Sequence, residues 1–170
     1  MPDTNPKDTQ SANAPTEFTE DGVFVALTHD TLDAVAIMNK VRSPKAGAIV
    51  LFAGTTRDNF GDKPVVHLAY EAYAPLAIRT MTKIAREIKE KHGLNGVAMI
   101  HRLGVVPIAE ESILIAVSSP HRQAAWRAGE EALELTKEKV EVWKLEEFGG
   151  EEGGVWRANR DGQAGVKISG

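Results

Sequence analysis

Two lysines, Lys137 and Lys144, lie seven positions apart in the stretch ELTKEKVEVWKLEEF. The first closes a helical pattern and the second sits inside an alternating one. An amine set against an apolar wall has its charged form destabilised, which suits it to act as an acid, a base or a nucleophile. Val140, Val142 and Trp143 favour a strand, so the pattern predicts that the helix ends near Lys139. In that strand Lys144 shares a face with Val142 and with Glu146, a carboxylate in reach for pairing, while Trp143 faces the opposite way. By spacing alone, two solvated surface lysines is the simpler reading.

Two further stretches carry cations where anions bind. In SSPHR, Ser119 reads as a helix N-cap, which puts His121 and Arg122 in the first turn. The unpaired N–H groups and the dipole there favour an anion, so two cations cost stability unless a phosphate or carboxylate neutralises them. The plainer alternative has Arg122 in solvent and His121 packing locally. In GTTRDNFG, Arg57 follows a buried strand and opens a polar loop, a place where a guanidinium can bind phosphate in a bidentate way. Most loop arginines are merely solvated. His101 and Arg102 close a strand and read as structural, and His29, His67 and His92 have no ligand partners at metal spacing, so no metal site is expected. No Gly-rich phosphate loop, Ser-His-Asp order or paired-carboxylate signature stands out.

The elements that must position these residues follow from patterning. The chain has 170 residues, 42% hydrophobic and 26% charged, which fits one soluble domain with a proper core. A net charge of −4 gives no reason to expect nucleic acid or an anionic membrane as partner. The absence of cysteine removes disulfides, zinc-thiolate sites and thiol nucleophiles, and fits a reducing compartment. No apolar run approaches the ~20 residues of a membrane span, and the N-terminal residues lack the pattern of a signal or transit peptide, so a cytoplasmic protein is expected.

Residues 1–20, with Phe18 their only large apolar side chain, read as a disordered tail before a domain over 21–170. GVFVALTH, GAIVLFAG, GVAMIHRLG, SILIAVSS and VEVWKLEEF read as strands, with VWRANR as a last short one after the turn GGEEGG. VVHLAYEAY alternates, with Val66, Leu68 and Tyr70 on one face. DTLDAVAIMNKV reads as a helix capped by Asp30, with Leu32, Val35, Ala36 and Asn39 at helical spacing. APLAIRTMTKIAREIKEKHG is the clearest helix, with an apolar stripe from Ala77 to Ile88 and Gly93 as its stop. Strands and helices mix without strict alternation, which argues for a compact α+β fold.

The stretches GAIVLFAGTTRDNFG, LAYEAYAPLA, MIHRLG, AVSSPHRQAAW and LELTKEKVEVWKLE, in this order, resemble the large, catalytic subunit of molybdopterin synthase. The resemblance runs from Gly47 to Arg160 and implies an α/β-hammerhead-type α+β fold with about three helices. It implies a homodimer in which each protomer binds a small ubiquitin-like sulfur carrier with a C-terminal Gly-Gly, a heterotetramer overall. The carrier's thiocarboxylate would supply sulfur to cyclic pyranopterin monophosphate, two rounds making the molybdopterin dithiolene, with no cofactor. By position, Lys137 and Lys144 match the family's active-site lysines. His121 and Arg122 match its His-Arg pair, Arg57 its strand-end arginine and Phe52 a pocket aromatic. Arg160 matches an arginine given across the dimer, and Glu146 is expected beside the substrate. The chain departs from the family at Leu145, often basic, and at Glu141, often proline. Two other readings stand beside it: a non-catalytic module that holds a ubiquitin-like tail or an anionic metabolite, and a Schiff-base lysine enzyme.

Overall fold

Three strands, each almost wholly buried, form the middle of the molecule: Val23–Thr28, Gly96–Arg102 and Glu111–Ser119. They are apolar on both faces because helices cover both faces. The computed structural model describes residues 16–149, 153–159 and 166–167. In chain order its elements are β1 (Glu17–Glu20), β2 (Val23–Thr28), α1 (Ala34–Val41), β3 (Ala48–Thr55), β4 (Asn59–Phe60), β5 (Lys63–Ala72) and α2 (Ala74–His92). There follow β6 (Gly96–Arg102), β7 (Gly104–Pro107), β8 (Glu111–Ser119), α3 (Arg122–Lys139), β9 (Val142–Phe148), β10 (Gly154–Ala158) and β11 (Val166–Lys167).

One sheet has the order β1-β2-β6-β8-β3, with β2 and β6 parallel and the other pairs antiparallel. Val25, Val97, Met99, Ile115 and Val117 project from it toward α2 and α3, meeting Met81, Ile84, Ile88, Ala125, Ala128 and Ala132. Phe24, Ala98, Leu114 and Ala116 project the other way onto Ile37 and Val41 of α1. The second sheet runs β11-β10-β9-β5-β4, with β7 also beside β5, and is antiparallel throughout. The result is a mixed α+β domain. No helix among the described residues is long and apolar enough to cross a membrane.

Several expectations shift at their edges. The disordered tail expected over 1–20 gives way by Glu17 to β1, which pairs with β2. Phe18 packs on the core beneath the Arg86 guanidinium, and Arg86 forms two hydrogen bonds with Glu20, so one aromatic plus a strand ladder suffices to order the segment. Residues 1–15 lie outside the described residues. The cap of α1 is Asp33, whose Oδ1 accepts from the Ala36 N–H at 3.0 Å, and not Asp30. The helix therefore turns Ile37 and Val41 inward and leaves Val35 61% exposed. In β5 a register shift between Val65 and His67 resets the alternation, so Val65 is buried and Val66 exposed. β3 is an edge strand, partly exposed on both faces within one chain.

Candidate active site

The change from helix to strand at residue 140 builds the site. The Val140 N–H donates to the Thr136 carbonyl and closes α3, and Val140 is already extended. Branched Val140 and Val142 keep the chain extended into β9. Lys137 sits in the last helical turn, where a cation meets the negative end of the helix dipole. β9 lies between β5 and β10, so Lys144 stands opposite Tyr70 on one side and Arg157 on the other. Cross-strand partners share a face, and these three side chains form a row; Glu146, two residues on, falls on the same face.

Lys137 and Lys144 do meet. They line one cavity of about 220 Å³ with Phe52 of β3, Arg57 of the following loop, Glu146 and Arg157. Glu146 is only 2% exposed. Its Oε1 lies 3.4 Å from Lys144 Nζ, and its Oε2 accepts from Arg157 Nε at 2.9 Å. The Arg157 guanidinium also stacks over Phe60, 4.8 Å from the ring centroid. Among the described residues, four cations thus surround one carboxylate, and the cavity favours an anionic guest.

The back wall is neutral. His101 is fully buried, with Nδ1 2.8 Å from the Arg102 carbonyl. That oxygen only accepts, so Nδ1 carries the proton and Nε2 accepts from Asn159 Nδ2 at 3.2 Å. Burial pushes the imidazole pKa down to about 4, against a smaller opposing effect of the carbonyl. Tyr70 meets the His101 ring edge-on, centroids 4.8 Å apart. Burial raises its phenol pKa, the Glu146 charge adds to that, and a hydrogen bond with Ser112 opposes it. Neither group changes charge near neutral pH.

His121 and Arg122 stand elsewhere. α3 runs from Arg122 to Lys139, about 27 Å at 1.5 Å per residue, so the pair sits at the far end of the helix from Lys137 and does not line the cavity. Ser119 is the last residue of β8 rather than the cap; its Oγ accepts from the His121 N–H at 3.3 Å, and His121 takes the cap position. Arg160 lies outside the described residues. No motif in the sequence marks Arg157 or Asn159, and His101 at its strand end reads there as structural. Arg157 alternates with Trp156 and Ala158, but its position opposite Lys144 depends on the hairpin register.

A mixed α+β frame here holds a small cationic cavity with two lysines and a buried carboxylate, the kind of site in which an enzyme can hold an anionic guest. Residues 27–139 match the family model described as MoaE protein. A Neurospora crassa protein called molybdopterin synthase catalytic subunit is 69% identical over 167 residues, covering 98% of this chain and 78% of that protein. A Sclerotinia sclerotiorum protein of the same name is 70% identical over 152 residues, covering 89% of this chain and 78% of its own. The crystal structure of molybdopterin synthase from Staphylococcus aureus superposes with a TM-score of 0.73 at 36% identity, covering 77% of this chain and 94% of that one. The chain belongs to the MoaE protein family. Its role is that of the catalytic subunit of molybdopterin synthase, a sulfurtransferase of molybdenum-cofactor biosynthesis.

Proposed function

We propose that the cavity shared by Lys137 and Lys144 is where sulfur leaves a carrier thiocarboxylate and joins cyclic pyranopterin monophosphate. The observation that carries this reading is the convergence of the two lysines from α3 and β9 on one cationic pocket. A cyclic phosphate needs cations around it, and Arg57 is in the pocket to meet it. Opening that phosphate calls for a stabilised leaving oxygen, and each sulfur addition calls for proton transfer. Lys144, tethered to Glu146, is assigned as the acid and base. Lys137 is assigned to the thiocarboxylate end, and Phe52 to packing beside the guest. The sulfur arrives on the carrier, so no resident cofactor is required by this scheme.

The carrier is a small ubiquitin-like subunit ending in Gly-Gly; the relatives' shared description as a catalytic subunit supports a companion chain. His121, Arg122 and Arg160 belong to this scheme only if a second copy or the length of the carrier tail brings them to the pocket. Because one protomer holds His121 and Arg122 about a helix length away, a homodimer is proposed as the working unit.

The test mixes the protein with a thiocarboxylated carrier and the cyclic pterin precursor and measures dithiolene product. Product is expected from the wild type, and Lys137→Ala or Lys144→Ala should each lose roughly 100-fold or more while carrier binding holds. Turnover retained by both variants overturns the lysine assignment. A folded complex that forms no product supports the binding-module reading instead.

A further inference from the structure

Arg157 belongs to none of the groups singled out by motif, yet the pocket wall is built around it. Register places it directly across from Lys144. Its Nε donates to Glu146 Oε2 at 2.9 Å, while the other oxygen of the same carboxylate lies 3.4 Å from Lys144 Nζ. The ring of Phe60 lies against its guanidinium on the hairpin side. The Glu146 side chain is 3% exposed, and those of Lys144 and Arg157 are each 18% exposed. A carboxylate buried this far must be matched by charge, and one cation would be enough to match it. Here two cations divide it unequally. The guanidinium takes a contact of ordinary length for a charge-assisted bond, and the ammonium is held beyond that length.

We propose that Arg157 is a positioning residue for Lys144. By engaging Glu146, it keeps that carboxylate from closing fully on the ammonium, so that Lys144 is tethered at the cavity without being locked to its own strand. The proposal rests on the reading of Lys144 as the group that moves protons. Arg57 reaches the cavity from the loop after β3 and Lys137 from the end of α3, while Tyr70, His101, Ser112 and Asn159 face it as neutral groups. Loss of Arg157 therefore leaves three cations to attract an anion, but gives Glu146 to Lys144 alone.

The test compares full-length Arg157→Met and Arg157→Lys with the wild type, using thiocarboxylated carrier and the cyclic pterin. Arg157→Met should slow a single turnover about 10-fold with KM changed less than about 2-fold, and Arg157→Lys should recover most of the rate. A second readout needs no turnover: trace acetylation by acetic anhydride, with the labelling of Lys144 measured against that of Lys137 by peptide mass spectrometry. That ratio should fall roughly threefold or more in Arg157→Met, because Glu146 then holds the Lys144 ammonium closely, and stay near wild type in Arg157→Lys. Adding Glu146→Gln to Arg157→Met should restore the ratio. A raised KM at unchanged rate, or an unchanged labelling ratio, overturns the proposal. If the wild type forms no product but the ratio still falls in Arg157→Met, the sulfur-transfer reading fails and the coupling of Arg157 to Lys144 stands.

Discussion

His101 is held neutral by its surroundings: Nδ1–H is committed to the Arg102 carbonyl, Nε2 faces the Asn159 amide, and the residue is only 1% exposed. Its folded pKa of about 4 lies below the ordinary value of 6.5. Between these two values the unfolded chain binds a proton that the folded chain refuses, so stability is complete above about 6.5 and falls as the pH drops toward 4. Urea unfolding should show a loss of about 2 kcal/mol between about pH 7.5 and pH 5, and His101→Asn should flatten that slope. Glu20 and Glu131, whose carboxyls are held below the usual range by Arg86 and by Lys91 with His92, lose their ion pairs only at lower pH. Nothing in the HRLG motif discloses this burial; His101 reads as structural in sequence, and in the fold it forms the back wall of the pocket.

At the scale of elements, α2 shows how closely local chemistry predicts local structure. Pro75 opens it, the stripe Ala77, Met81, Ile84, Ala85 and Ile88 is buried as the spacing predicts, and Gly93 ends it at φ 61° and ψ 43°. A side chain added at Gly93 meets nothing within 4 Å, so the cost of Gly93→Ala is backbone strain alone. That substitution should destabilise the protein by about 1 kcal/mol in urea or thermal unfolding, and Gly93→Asn by less. α1 and β5 are where local reading slips. Asp30 and Asp33 are both acceptable caps by type, and burial of Ile37 and Val41 under the sheet selects Asp33. A bulge such as the one at Val65–His67 depends on how β5 fits against β9, so residue-by-residue alternation does not anticipate it. β3 reads as buried because it is apolar, yet it is an edge strand, a fact that only the strand order reveals.

At the scale of the whole molecule, the helix that connects the two cation sites also separates them. Lys137 lines the pocket and Arg122 starts the same helix about 22 Å away along its axis. If a second copy brings Arg122 to its neighbour's pocket, a mixed dimer of Lys137→Ala and Arg122→Ala collects both defects in one site and leaves the other site intact. Mixing the two inactive variants in equal amounts, with subunit exchange, should then restore about a quarter of wild-type turnover, because half the dimers are mixed and each has one intact site. No recovery despite demonstrated exchange would place His121 and Arg122 outside the reacting pocket.

The sequence by itself determined which residues carry charge, where α2 starts and stops, that α3 gives way to a strand near residue 140, and that Lys144 and Glu146 share a face. These depend on neighbours a few positions apart, through helical spacing, alternation and capping. The tertiary structure alone decided that Lys137 and Lys144 open on one cavity, that Arg157 completes the ion cluster around Glu146, and that His101 lies behind it. It also decided that His121 and Arg122 stand apart. Those outcomes depend on strand order and hairpin register, which bring together β5, β9 and β10 from distant parts of the chain. The physical reason is that strand pairing is made between segments far apart in sequence, and its energy resides in contacts that no short window contains.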